Sequence, residues 1–101
     1  MENFGDIEEM CLEDLSLDYV PLHDIVRIFS GFEKLEPSND EFILALEFLE
    51  YMINKYKLIS YEGPGGDIIT KPTVDLIQWL KFMWYSGKYN EINYGIWFEK
   101  I

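Results

Sequence analysis

SNDEFILALEFLEYMINKYK, residues 38–57, decides the fold of this chain because it combines a helix start with a long helical stripe. Ser38 and Glu41 form the S-x-x-E capping box, whose two side chains satisfy free backbone N–H groups of the first turn. Apolar residues then recur at the spacing of one helix face. They are Phe42, Ala45, Leu46, Leu49, Met52, Ile53 and Tyr56. The pattern predicts a helix ending near Lys57 that forms the spine of the core.

Two helices are predicted before this one. In residues 2–18, apolar residues at near-helical spacing are interleaved with acidic ones, which indicates an amphipathic helix with an acidic outer face. Pro21 stands at a favoured first helical position of the second helix, and Gly31 is a typical helix end.

A hairpin and a fourth helix are predicted after it. Residues 57–62 and 67–71 have strand character and are joined by Gly-Pro-Gly-Gly, a turn in which two or more glycines take positive φ. The fourth helix begins at Pro72 or Thr73 and ends at Gly87. It is apolar nearly all round, so it is either central to the core or covered by a partner.

The tail completes the predicted fold class. Residues 92–99 alternate between two faces in places, which indicates a third strand. With 101 residues the chain has room for one domain, residues 1–101. We therefore predict a single α+β domain of about four helices with a small two- or three-stranded antiparallel sheet. The order helix, helix, helix, hairpin is also that of a winged-helix module.

The charge of the chain is concentrated in its first half. Residues 1–50 contain 14 acidic and two basic residues, a net charge of −12, whereas residues 51–101 contain five acidic and six basic residues, a net charge of +1. A field of one sign repels nucleic acid and anionic lipid and steers basic proteins inward. In a winged-helix module the third helix would enter DNA, but here it presents Glu41, Glu47 and Glu50, so DNA binding is not expected.

Catalytic, metal and cofactor sites are not expected. His23, the only histidine, is predicted to be a surface residue of the second helix, and Cys11 a small residue on a buried helix face. One Cys and one His cannot complete a four-ligand zinc site. The lone cysteine, the lack of a signal peptide and the absence of any apolar run of about 20 residues favour a cytoplasmic protein.

The order of residues in about the last two-thirds of the chain resembles a known class of protein. Residues 41–61 have the form E-F-x-x-A-L-x-F-L-x-Y-M-x-x-x-x-K-L-I-x-Y. A Gly-rich turn, a Trp-rich helix and the closing Y-G-I-W-F at residues 94–98 follow. This order resembles the small acidic immunity proteins of bacterial contact-dependent growth inhibition and related polymorphic-toxin systems. The resemblance implies a cytoplasmic protein without catalytic residues that blocks one cognate toxin, often a nuclease.

The predicted function is to bind and neutralise a basic toxin domain by electrostatic occlusion, as a monomer in a one-to-one complex. Neither nucleic acid nor a membrane is expected as a partner. The alternatives are a non-toxin interaction module, such as a regulator or assembly subunit, and an inactive winged-helix transcription factor. Nine residues on two helices are the predicted partner-binding set. They are Asp6, Glu8, Glu9, Glu13, Asp14, Glu47, Glu50, Tyr51 and Asn54.

Overall fold

The computed structural model describes residues 4–31, 36–63 and 65–100, which form five helices and four strands. In chain order these are α1 (Gly5–Leu17), β1 (Val20–Pro21), α2 (Leu22–Ser30), α3 (Asn39–Tyr56), β2 (Ile59–Glu62), β3 (Asp67–Ile68), α4 (Thr73–Tyr85), α5 (Tyr89–Ile92) and β4 (Ile96–Glu99). The α+β class is confirmed. The predicted counts of about four helices and two or three strands were too low, because α5 and β1 were not foreseen.

The predicted capping box of α3 is present. The Glu41 backbone N–H donates to Ser38 Oγ at 3.2 Å, and the Ser38 backbone N–H donates to Glu41 Oε1 at 2.7 Å. The helix ends at Tyr56, and the C-cap residue Lys57 has a φ of 55°. Its buried residues include most of the predicted face and also Phe48, whose ring lies against those of Phe4 and Phe29. The buried residues are Phe42, Ala45, Leu46, Phe48, Leu49, Met52 and Ile53.

All pairings in the sheet are antiparallel, and the spatial order is β1-β4-β2-β3. The tail strand β4 therefore lies inside the sheet, between β1 and the β2–β3 hairpin. Val20 and Ser60 both pair with Phe98, and this row of buried side chains forms the core face. The next row, formed by Pro21, Trp97, Tyr61 and Ile68 across the four strands, lies on the other face.

The turns that connect these elements follow the predicted glycines. Gly31 closes α2 with φ 90°, and Gly63 and Gly65 of the hairpin turn have φ 87° and 70°. Pro64 of that turn lies outside the described residues. A Cβ at Gly66 would lie 2.0 Å from the Glu62 carbonyl oxygen, so only glycine fits there.

The ends of the chain required correction. The predicted start of α1 at Glu2 lies outside the described residues, and the helix is seen from Gly5. In the tail, Ile92 was expected to begin a strand, but it ends α5 and is buried there. The strand begins four residues later, at Ile96. None of the helices in the described part of the chain is long and apolar enough to span a membrane.

Candidate interaction surface

α1 is fastened to α3 by a ring cluster at its beginning and by one carboxylate. The Phe4 ring lies 5.3 Å from Phe48 and 5.7 Å from Tyr51, centroid to centroid. One turn further on, Glu8 accepts hydrogen bonds from the hydroxyl groups of Tyr51, at 2.5 Å, and Tyr56. Lys55 Nζ also donates to Glu8, at 2.9 Å. The two helices predicted to bind a partner are therefore neighbours.

These contacts change the role of Glu8 from the one predicted. Its side chain is only 13% exposed, so it lies in the seam between α1 and α3 and not on the outer face of α1. Hydrogen bonds from Tyr51, Tyr56 and Lys55, in decreasing order of effect, lower the pKa of Glu8 to about 2. Glu8 therefore positions α1 and remains ionised over the physiological range. The same carboxylate raises the pKa of Lys55.

The other predicted residues of α1 point into solvent. Asp6, Glu9, Glu13 and Asp14 are all exposed. The helix contains no basic residue, and its inner side is fixed by buried Cys11 and Leu15. Four carboxylates on one 13-residue helix create a strongly negative rim, because no cation of α1 compensates them.

The predicted residues of α3 form one stripe, which Tyr51 joins to α1 through Glu8. Glu47, Glu50, Tyr51 and Asn54 follow the i, i+3, i+4, i+7 spacing of one helix face. Glu47 and Asn54 are exposed, Glu50 is half-buried, and Tyr51 is 37% exposed. Because the opposite side of α3 is the core, the backbone that carries this stripe is rigid. We call the four exposed acids of α1 together with Glu47, Glu50, Tyr51 and Asn54 the acidic surface.

One base lies at the edge of the acidic surface. Lys55 is exposed, but its ammonium group is held by Glu8 and lies 5.4 Å from the centroids of the Tyr51 and Tyr56 rings. The geometry therefore suits a ligand that brings several positive charges, and it disfavours phosphate-bearing ligands.

His23 lies in the first turn of α2, as predicted, but it is half-buried and not freely exposed on the surface. Its Nδ1 lies 3.0 Å from the hydroxyl of buried Tyr89, and its ring is 4.9 Å from that of Tyr94. The His23 backbone N–H also donates to the Asn93 carbonyl at 2.7 Å, which fastens α2 to the tail. Burial, followed by the charge of Arg27, lowers the pKa of His23. These contacts give His23 a structural role in joining α2 to α5 and the turn after it.

Cys11 is buried beneath the acidic surface, and the described residues contain no metal-binding cluster. Cys11 is 1% exposed, as its position on the helix predicted, and burial raises the pKa of its thiol to about 12. Groups of three or more His, Cys, Asp or Glu side chains that could hold a metal ion are absent from the described part of the chain.

α4 was predicted to be either central to the core or covered by a partner. Its outer face is exposed, so it is not enclosed by the core. Leu76, Ile77 and Leu80 are buried, but Phe82 and Tyr85 are 62% and 67% exposed. Apolar residues lie on nearly every side of α4, so the sequence pattern did not predict which side of the helix faces solvent. These side chains were absent from the predicted partner-binding set.

The Glu8 contacts predict a pH-dependent contribution to stability. A carboxyl whose folded-state pKa is lowered stabilises the fold above its unfolded pKa, and the contribution is lost as pH falls through the folded one. Glu8→Gln should therefore lower the melting temperature most at neutral pH. As pH falls from 4.5, the ordinary pKa of a glutamate side chain, to about 2, the difference in melting temperature between this variant and wild type should shrink. Circular-dichroism melts across pH measure this.

Glu9→Gln is the matched control, since Glu9 lies on the same helix but is exposed. Its melting temperature should stay close to that of wild type at every pH. Equal losses of melting temperature for the two variants would contradict the role of Glu8 in holding α1 against α3.

Comparisons with known proteins give no independent assignment of this site. No family model, curated protein or solved structure matches the chain. The chemistry of the acidic surface is therefore the basis for a functional proposal.

Proposed function

We propose that the protein is a cytoplasmic immunity protein that binds a cognate basic toxin domain and neutralises it. The observation that carries this proposal is the acidic surface itself. Four exposed carboxylates of α1 and the Glu47–Glu50 pair of α3 project from two helices that Glu8 joins, and the ammonium group of Lys55 donates to Glu8. A surface of this charge attracts a cationic protein over a distance of about one Debye length, roughly 8 Å at physiological salt.

A nuclease is the class of toxin that fits best. An enzyme that cleaves RNA or DNA binds phosphates through clustered Lys and Arg side chains. The carboxylates of the acidic surface can occupy those cations and so exclude the nucleic acid. Inhibition of this kind requires no catalytic group, and each protomer would block one toxin molecule.

The rigidity of α3 supports the same proposal. Glu47 and Glu50 project from a helix whose inner side includes Leu46 and Leu49, both 0% exposed. The backbone that carries these side chains is already ordered and loses little conformational freedom on binding, which favours a tight complex. The same argument applies to the carboxylates of α1, because Glu8 and Phe4 hold that helix against α3.

The second candidate is an interaction module that regulates or assembles a basic protein other than a toxin. The same acidic surface supports this function, and the two candidates differ only in whether the basic partner is a toxin. The winged-helix alternative is weaker, because α3 presents carboxylates where a DNA-binding helix requires cations.

The proposal predicts protection of a nuclease by stoichiometric binding. The toxin to test is the C-terminal domain encoded by the gene next to this one, provided that this domain is basic. Adding the protein should abolish its nuclease activity at one equivalent, and the two should co-elute. The combined variant Glu47→Lys, Glu50→Lys should protect poorly while melting near the wild-type temperature.

The control separates direct inhibition from competition for substrate. The isolated protein should neither cleave nucleic acid nor bind duplex DNA in a fluorescence-anisotropy titration at physiological salt. Submicromolar DNA binding would reject the immunity proposal. Binding of a basic neighbour without loss of any activity would favour the regulatory module.

A further inference from the structure

The hairpin strand β3 forms an open edge of the sheet. In the spatial order β1-β4-β2-β3 the other edge is β1, where Pro21 has no backbone N–H to donate. β3 contains no proline. The Ile69 backbone N–H donates to the Ser60 carbonyl at 2.8 Å, so pairing with β2 continues past Ile68. An edge strand without a proline can pair with a strand of another chain.

The pairing with β2 shows which backbone groups of the edge point outward. Ile69 hydrogen-bonds toward β2, and successive residues of a strand alternate in direction. Ile68 and Thr70 therefore direct their N–H and C=O groups away from the sheet. Lys71 precedes Pro72, which favours an extended backbone at Lys71 as well. The segment 67–71 is thus suited to accept a further antiparallel strand.

The charged side chains of this edge lack counter-ions. Asp67 pairs with Glu62 across the β2–β3 ladder, and both residues are exposed. Like charges at directly opposite positions of two strands repel one another. Within the described part of the chain, neither these carboxylates nor the exposed ammonium group of Lys71 forms an ion pair. The edge therefore presents two carboxylates and one ammonium group to solvent.

The segment Asp67-Ile-Ile-Thr-Lys71 is complementary to itself when two copies run antiparallel. A two-fold axis perpendicular to the sheet at Ile69 places Ile68 of each copy opposite Thr70 of the other. Both residues point their backbone groups outward, so each such pair can exchange two hydrogen bonds. The same register places Asp67 directly opposite Lys71 of the second copy, on the same face of the joined sheet. Each lysine then meets an acid that has no counter-ion in its own chain.

Registers shifted by two residues fit less well. A shift in one direction places Ile68 opposite Pro72, which has no N–H. A shift in the other direction places Thr70 opposite Gly66, whose N–H already donates within the hairpin turn. Both shifts also separate the opposite charges. The register centred on Ile69 is therefore favoured by hydrogen bonding and by charge together.

We propose that the β3 edge is the self-association surface of this protein, where two copies pair antiparallel about Ile69 and join their sheets. The contact is small and each copy has a net charge of −11, so the dimer is weak and forms reversibly. β3 contains none of the residues of the acidic surface, so each protomer keeps that surface for a partner. The expected monomer is replaced by a dimer that still binds one partner per protomer.

Sedimentation equilibrium of charge-reversal variants tests this proposal. Wild type should dimerise reversibly at concentrations up to about 100 µM. Lys71→Glu and Asp67→Lys should each weaken the dimer at least about tenfold, because like charges then lie opposite each other. The two substitutions change the net charge in opposite directions, so a shared effect reports local pairing. Lys88→Glu is the matched control for Lys71→Glu, since Lys88 is exposed outside β3, and it should change the dissociation constant by less than about threefold.

Restoring opposite charges tests the register. The double variant Asp67→Lys, Lys71→Glu should dimerise within about threefold of wild type, because each lysine again faces a carboxylate. For the same reason, mixing the two single variants should give a heterodimer.

Thr70→Pro tests the backbone pairing. It removes an outward N–H and leaves the bond between Ile69 and Ser60 intact, so it should abolish the dimer while the monomer stays folded. The charge variants decide the question if this variant does not fold. A wild-type protein that stays monomeric at the highest concentration overturns the proposal. So does a dimer that both single reversals leave intact, or one that neither the double variant nor mixing restores.

Discussion

Leu46→Ala and Leu49→Ala should each destabilise the protein by about 2–5 kcal/mol, the range for truncating a fully buried leucine. Both side chains are 0% exposed on the inner side of α3, which packs against α2 and α4. The cost combines the lost transfer free energy of the removed atoms with the cavity left behind. Domains of this size are stable by only about 5–15 kcal/mol, so either variant should lose a large share of its stability.

Chemical denaturation measures this loss directly, and thermal melts should show a drop of roughly 10–30 °C. Asn54→Ala is the control, because Asn54 is exposed on the same helix and alanine favours helix formation. It should lie within about 0.5 kcal/mol of wild type. Losses below about 1 kcal/mol for both leucine variants would mean that the core face of α3 has been assigned wrongly.

The parts of the fold that the sequence predicted well depend on local chemistry. The capping box at Ser38 involves residues three apart, and the stripe of α3 repeats over about four turns, so both can be recognised without knowledge of distant contacts. The positive φ of Gly31 and of the hairpin glycines is likewise a property of single residues.

The parts that were missed depend on residues distant in sequence. β1 is two residues long, and Val20 pairs with Phe98, so no period-2 pattern in its own neighbourhood reveals it. α5 has four residues, too few for helical spacing to be distinguished from the alternation of a strand. In both places tertiary contacts decide the local structure.

Prediction of the candidate surface failed in part for the same reason. Glu8 fits the acidic pattern of α1 as well as Glu9 does, and nothing local distinguishes them. The difference is that Glu8 meets Tyr51, Lys55 and Tyr56, more than 40 residues away. The sequence located the acidic helices but could not identify which acid holds them together.

Because Glu8 holds α1 against α3 and the other acids are exposed, substitutions at these positions should affect the kinetics of partner binding differently. Charges at an interface mainly raise the association rate, and steering can contribute about 10- to 1,000-fold. Association with the proposed basic toxin domain should therefore slow steeply with salt, because the Debye length falls from about 10 Å at 0.1 M to about 3 Å at 1 M. Glu9→Lys and Glu47→Lys should each lower the association rate about 3- to 10-fold at low salt, with little change in dissociation.

Glu8→Lys should behave differently from these two variants, although the sequence alone placed Glu8 among the rim acids. A lysine there would face Lys55 and lose the hydrogen bonds from Tyr51 and Tyr56, so α1 should loosen and the melting temperature fall. Glu50→Ala should instead speed dissociation. Glu50 is half-buried on α3, so we expect it to form a central contact that stabilises the bound complex and has little effect on the initial encounter.

Stopped-flow binding across a salt series distinguishes these roles. Glu91→Lys is the control, since it makes the same charge change at an exposed residue of α5, which is not part of the acidic surface. It should slow association less than Glu47→Lys does, because local field and not total charge guides the encounter. An association rate independent of salt, or equal slowing by Glu91→Lys and Glu47→Lys, would rule out capture by the acidic surface.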